Sequence, residues 1–260
     1  GFCFSILFFQ IILFMDKYKA ESILPYNKKE SKSSQVRQMF DTIAPTYDML
    51  NRMMTFGIDK QWRRAAMKRL AAYRPKTILD IATGTGDLPL LMEKMFSPES
   101  ITGIDLSEGM LNIARKKIDE YHLNDKIKFF CEDCLSLSFA DNTFDAITVS
   151  FGVRNFEHLE KGYSEMYRVL KPGGTLVVIE FSTPEHFPFK QLYRLYTFHI
   201  IPLMGKLFTK DSQAYTYLPR SIAAVPQGEE MLKIFHKAGF SKTYCKKLTF
   251  GICSIYIGEK

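Results

Sequence analysis

From residue 76 onward the chain alternates two kinds of apolar pattern. Short runs rich in β-branched residues occupy 76–82, 101–105, 126–131, 144–150 and 175–181. They read as strands. Between them, 87–95, 108–121 and 159–170 carry apolar residues at three- and four-residue spacing, the mark of amphipathic helices. Such alternation implies βαβ units and a mostly parallel sheet. Ahead of it, Val36, Met39, Phe40, Ile43 and Tyr47 predict a helix over 35–54, which Pro45 must kink or break. A second helix over 59–73 holds Trp62, the one tryptophan. The helix 159–170 stops at Lys171-Pro172-Gly173-Gly174.

The segment 182–222 breaks the alternation. Its aromatic residues, interleaved with basic ones, read as an inserted helical lid. A helix over 228–238 then ends at Gly239, a good helix-terminating residue. Strands at 241–248 and 251–258 close the chain as an antiparallel hairpin. The organisation is therefore a lead-in over 1–34 and one α/β domain over 35–260. Residues 16–34, polar and rich in Lys and Ser, read as mobile. Residues 1–14 are almost wholly apolar but too few to span a bilayer, which takes roughly 20. They lack a basic flank and a small-residue cleavage site. We read Met15 as the start and 1–14 as translated upstream sequence, with a membrane-dipping anchor as the alternative.

The most specific chemistry sits where the first strand ends. Leu79-Asp80-Ile81-Ala82-Thr83-Gly84-Thr85-Gly86-Asp87 is a strand, a glycine turn and a helix start. An open α/β sheet binds a nucleotide-like cofactor at this place. A dinucleotide fingerprint would have a third glycine where Pro89 stands. The helix N-terminus that would hold a pyrophosphate carries Asp87, which repels phosphate. A cofactor without phosphate and with positive charge fits better, and S-adenosylmethionine (SAM) is one. Asp105, at the tip of the second strand, is placed to accept both ribose hydroxyls. Ser107 supplies a cap for the next helix and leaves Asp105 free for that work.

Charge and cysteine content narrow the picture a little. Lys and Arg exceed Asp and Glu by 35 to 28, a net charge of +7, which suggests an anionic partner surface. The basic residues form only short clusters, such as Arg63-Arg64, that read as solvated helix faces, so nucleic acid is not expected. Five scattered cysteines argue for reduced thiols and a cytoplasmic compartment. Cys131-x-x-Cys134 lacks the second Cys or His pair of a zinc site, and no metal is expected.

Three further stretches resemble the C-methyltransferases of menaquinone and ubiquinone biosynthesis, over about residues 35–258. One is Tyr47-Asp48-x-x-Asn51 with Thr55-x-Gly57 and Trp62. Another is Ser150-Phe151-Gly152-Val153-Arg154-Asn155. The last is Arg168-Val169-Leu170-Lys171-Pro172-Gly173-Gly174, closed by Glu180-Phe181-Ser182. The chain departs from the pattern at Asp59, where the family has His and where we expect a helix cap. It departs again at Leu137-Ser138-Phe139, where Pro is usual.

The resemblance implies a Rossmann-like, class I SAM-dependent fold and C-methylation of a polyprenylated hydroquinone. Demethylmenaquinol is the expected acceptor. The alternatives are 2-polyprenyl-6-methoxybenzoquinol, another small or lipid substrate, or a non-catalytic subunit of a quinone-biosynthesis assembly. Asp80, Gly84, Thr85 and Gly86 would lie at the methionine part of the cofactor, Asp133 and Cys134 at the adenine, and Ser150 beside the methyl group. Arg154 and Tyr47 would carry the chemistry by handling the phenol proton, with an ion pair to Glu180 as the competing role for Arg154. A prenylated acceptor lives in a membrane. The expected location is therefore cytoplasmic, peripheral on the membrane's inner face, with the lid offering a greasy groove. A homodimer is compatible with the resemblance.

Overall fold

A computed structural model describes residues 18–209 and 211–260. The readings of 1–14 and of the Met15 start fall outside these residues.

The core is a seven-stranded sheet. Its strands are β1 (Thr77–Ile81), β2 (Ser100–Asp105), β3 (Ile127–Cys131), β4 (Phe144–Ser150), β5 (Leu170–Phe181), β6 (Ser241–Leu248) and β7 (Cys253–Glu259). They lie in the order β3-β2-β1-β4-β5-β7-β6. The first five in that order run parallel, and β7 pairs antiparallel with both β5 and β6. The helices are α1 (Lys32–Ile43), α2 (Tyr47–Thr55), α3 (Asp59–Ala71), α4 (Asp87–Phe96), α5 (Glu108–Glu120), α6 (Leu159–Val169), α7 (Phe189–Leu195), α8 (Ile201–Phe208), α9 (Ser212–Ala224) and α10 (Glu229–Ala238).

Both faces of the sheet are covered, so its strands read as apolar runs rather than alternating ones. Along β5, Leu176 and Val178 join one core with Tyr163 of α6 and Phe235 of α10. Val177 and Ile179 join the other with Trp62 of α3, Met92 of α4 and Leu111 of α5. A third core lies above the strands' carboxyl ends, where α1 and α2 (Met39, Leu50) meet α8 and α9 (Ile201, Tyr215). The strand order reverses between β1 and β4. That is the topological switch point, and the crevice beyond it is where open α/β sheets bind ligands.

Local chemistry accounts for the element ends. Pro45 lies in a 3-10 turn, Ala44–Thr46, that breaks the predicted helix into α1 and α2. Gly239 takes φ +110° at the end of α10. The Lys171–Gly174 stretch continues into β5 rather than standing apart as a turn, because Gly173 and Gly174 exchange backbone hydrogen bonds with Lys260.

The described part of the lead-in is anchored to the domain. Ala20 is fully buried. The Glu21 carboxylate accepts the Leu159 N–H at 2.8 Å. Buried Lys32 donates to the carbonyls of Ala20, Arg154 and Phe156. Sequence composition missed this because a few buried anchors outweigh a polar average. Cys131 is exposed and Cys134 buried, both as free thiols.

Candidate active site

A cleft opens at the switch point. Gly84, Asp105, Asp133, Cys134 and Ser150 line it together with Tyr47 and Phe151. Gly84 takes φ +57°, and a Cβ there would point into open space. The glycine is thus needed for the left-handed turn and leaves the backbone bare toward a ligand. Its N–H donates to Asp105 Oδ2 at 2.8 Å, and the Ser107 N–H donates to Oδ1 at 2.9 Å. Ser107 itself caps α5 through Met110 N, as its sequence position suggested. Burial pushes the Asp105 carboxyl up to about 6, against the pull of those backbone donors. Once ionised, it keeps lone pairs for two hydroxyls. Asp133 Oδ1 accepts the Leu135 N–H, which fixes the turn after β3.

Three residues expected at the cofactor do not line this cleft. Asp80 is buried beneath it and accepts the Thr148 hydroxyl at 2.5 Å, with its carboxyl pushed up to about 6 by burial. Thr85 turns away and donates to Asp48 of α2 at 2.7 Å. Gly86 serves packing, since an added Cβ would meet Ala114 and Phe129 at 3.1 Å. Asp87 is also not a bare charge facing a ligand. Lys117 pairs with both Asp87 (2.6 Å) and Asp48 (2.7 Å) and holds Asp87 below the usual carboxylate range, against the effect of its burial. The sequence reading placed Asp87 at the helix start after the glycine turn and Asp48 only within a motif. It missed their shared partner because Lys117 comes from a different helix.

Beyond the cleft lies a second space of about 440 Å³, which we term the chamber. Its walls are mostly apolar: Trp62, Phe151, Phe181, Tyr193, Ile201 and Leu218 among others. Tyr47 and Phe151 line both spaces. Phe151 holds φ +60°, a backbone conformation strained for a bulky residue, and its ring stacks on Phe181 at 4.4 Å. Burial raises the Tyr47 hydroxyl above its ordinary value, with Arg154 and Arg63 pulling the other way. At neutral pH it is a protonated donor.

Arg154 also faces the chamber. Its Nη1 pairs with Glu180 Oε1 at 2.9 Å, with side-chain exposures of 6% and 1%. The same nitrogen donates to the Phe151 carbonyl. Its Nε is buried and lacks a hydrogen-bond partner among the described residues. The ion pair and a chamber-facing cation thus coexist.

Asp59 does not cap α3. It accepts from Thr55 at 2.9 Å and pairs with Arg63 at 2.6 Å, at the chamber wall. Arg63 was read as part of a solvated basic face. It is instead mostly covered, lies over the Phe151 ring, and reaches Ser150 Oγ at 3.4 Å. The i, i+4 spacing of Asp59 and Arg63 is the signal that could have revealed the pair.

The residues suit SAM. An open glycine approach, a half-buried carboxylate at the tip of β2 and, among the described residues lining the cleft, no basic cradle for phosphate fit a ribose with a cationic, phosphate-free arm. Fold and cleft together define a Rossmann-like SAM-dependent methyltransferase. A family model described as "ubiE/COQ5 methyltransferase family" matches residues 28–260, and the chain belongs to that family. It is 53% identical over 243 residues to a demethylmenaquinone methyltransferase of Bacteroides fragilis, covering 94% of this chain and 99% of the relative. It is 44% identical over 234 residues to the ubiquinone/menaquinone biosynthesis C-methyltransferase UbiE of Geotalea daltonii, covering 90% and 99%. Among solved structures, the [4+2]-cyclase SpnF superposes with a TM-score of 0.66 at 20% identity, covering 88% and 96%. That likeness shows the fold alone.

Proposed function

We propose that this enzyme methylates a ring carbon of a polyprenylated hydroquinone, demethylmenaquinol, to give menaquinol. The observation that carries the reading is the chamber: apolar, large enough for a fused ring with the start of a prenyl tail, and joined to the cleft at Tyr47 and Phe151. Bound SAM supplies a methyl group on a sulfonium sulfur that leaves as a neutral thioether. The nucleophile is the ring carbon ortho to a phenol, which gains electron density as the phenol loses its proton. Arg154, a permanent cation on the chamber wall, stabilises the resulting phenolate, while Glu180 fixes the guanidinium plane. Tyr47 donates a hydrogen bond to the same oxygen. Asp105 holds the ribose, and Asp133 with Cys134 borders the adenine. The ring then releases its own proton to water and regains aromaticity, and the phenolate takes back from water the proton it first gave up, so that one proton is released for each methyl transferred. No covalent enzyme intermediate is needed.

The relatives' names also support a second acceptor, the benzoquinol of ubiquinone biosynthesis. Mass spectrometry of quinones from cells lacking the gene separates the two. Build-up of demethylmenaquinone supports the first reading, and build-up of the methoxybenzoquinol supports the second. Neither accumulating would overturn both. Because the acceptor resides in a bilayer, we place the enzyme at the cytoplasmic membrane surface as a peripheral protein. No described helix is long and apolar enough to cross a membrane.

A further inference from the structure

The consecutive helical stretches α7, Tyr196–Ile200 and α8 form one rod over 189–208. At 1.5 Å per residue it is roughly 30 Å long. Only a narrow stripe at four-residue spacing, Thr197, Ile201 and Gly205, is buried. Gly205 allows the close seat, since a Cβ there would collide with Tyr215 at 2.5 Å. The opposite side is apolar yet in water: Leu192, Leu195, Leu203 and Leu207 are 54–69% exposed. A helix apolar on its solvent side normally has a partner.

Two phenylalanine tips flank the rod. Phe56 is 85% exposed at φ 52°, and Phe250 is 67% exposed at φ 54°. Left-handed backbone is unfavourable for a bulky residue, and here little packing offsets it. The Phe250 ring stacks on Phe189 at 3.8 Å, and Phe56 lies 6.2 Å from Tyr196. Phe56, Tyr196 and Thr249 are also chamber-wall residues, so the tips and the rod surround the chamber's mouth.

We propose that the rod and the two tips form a docking surface for an anionic lipid bilayer, seating the chamber's mouth against the acyl region. Charge selects this occupant. No acidic residue occurs between Glu185 and Asp211. Lys190, Arg194 and Lys206 are exposed on the rod and make no ion pair among the described residues. Each cation near an anionic surface strengthens binding, and salt screens the effect. A second copy fits poorly. A two-fold contact sets like patch on like patch, opposing these cations and covering the mouth. The inference rests on the proposed membrane-borne acceptor for its purpose, but not for its test.

The test is co-sedimentation of the full chain, without SAM or quinol, with phosphatidylcholine vesicles and with vesicles that also contain phosphatidylglycerol. Binding to the anionic vesicles, weakened by salt, is expected. The triple variants Leu192→Gln/Leu203→Gln/Leu207→Gln and Lys190→Gln/Arg194→Gln/Lys206→Gln should each lose it by about tenfold or more. Both should methylate a soluble short-tailed quinol at the native rate, which shows that they fold and tests the reaction separately. Absence of native binding overturns the proposal, as does binding that the leucine variant retains. A leucine variant that turns a dimer into a monomer yet keeps native vesicle binding assigns the face to a second copy instead.

Discussion

The cofactor cleft and the acceptor chamber share two wall residues, Tyr47 and Phe151, yet different physics builds them. The cleft is made by backbone. A left-handed Gly84 and the N–H groups of Gly84 and Ser107 hold Asp105 where two strands end side by side. The chamber is made by side chains from α2, α3, the turn after β4, the lid and the terminal hairpin. A site made of backbone keeps its local spacing in the chain and can be read from it. A site gathered from distant segments cannot.

The largest effect should come at the buried ion pair on the chamber wall. Arg154→Met alone leaves Glu180 buried and unpaired, which costs roughly 3–5 kcal/mol of stability. The informative variant is Arg154→Met/Glu180→Gln, which removes both charges. Its kcat should fall by about 10²–10³-fold while SAM affinity stays near native, as for loss of a group that acts on developing charge. Part of the rate should return at high pH, where the free quinol ionises without help. A double variant that folds, binds SAM and turns over at the native rate would remove Arg154 from the chemistry.

Asp105→Asn is the matching probe of the cleft. It should weaken SAM by about 1.5–3 kcal/mol, the scale of hydrogen bonds to a charged acceptor, with kcat at saturating SAM little changed. Calorimetry showing a native dissociation constant would mean that the ribose is held elsewhere. Together the two variants test whether cleft and chamber divide binding from chemistry as cleanly as their construction does.

The same division governs what the sequence disclosed. The strands, the helix break at Pro45, the terminal hairpin and the Gly84–Asp105 arrangement were legible because each rests on local rules: apolar period, proline's missing N–H, glycine's conformational range. Illegible was everything that pairs distant helices. Thr85 was assigned to the cofactor because it follows Gly84, but its hydroxyl is taken by Asp48, 37 positions away. Asp87 looked like a bare charge until Lys117 of α5 came to it. Arg63 passed for a solvated residue because Ser150 and Phe151, which cover it, come from a distant part of the chain, Ser150 87 positions away.

Protonation should pull stability and binding apart. Asp80 and Asp105 both titrate at about 6 in the folded chain, against an ordinary value of 3.8. Between those values the folded state holds more protons than the unfolded one. The apo protein should therefore gain stability as pH falls through that window, by on the order of 1–3 kcal/mol per group. SAM affinity should move the opposite way and fall below about pH 6, because protonated Asp105 has lost acceptor capacity. Thermal unfolding of the apo protein at about pH 7.5 and 5.5 checks the first sign, and titration calorimetry the second. Asp80→Asn should remove about half the stability effect and none of the affinity effect. A variant that alters affinity would show that Asp80 acts on the cofactor after all.

The smallest effect belongs to the seam between the two regions. Thr85 and Lys117 fasten Asp48 at the start of α2 to the glycine turn, and the next residue back, Tyr47, forms the shared wall. Thr85→Val removes one hydroxyl and keeps the side chain's shape. Lys117 still holds Asp48, so α2 stays docked and only its angle loosens. The net loss of one such hydrogen bond is about 0.5–1.5 kcal/mol, so SAM should weaken by roughly two- to tenfold. The KM for a short-tailed quinol should rise as well, because the wall that loosens belongs to both spaces. A change confined to SAM would mean that Thr85 touches the cofactor directly, as its position in the chain suggests. A joint change, together with a matching one in Lys117→Met, would show that α2 acts as a lever setting cleft and chamber at once.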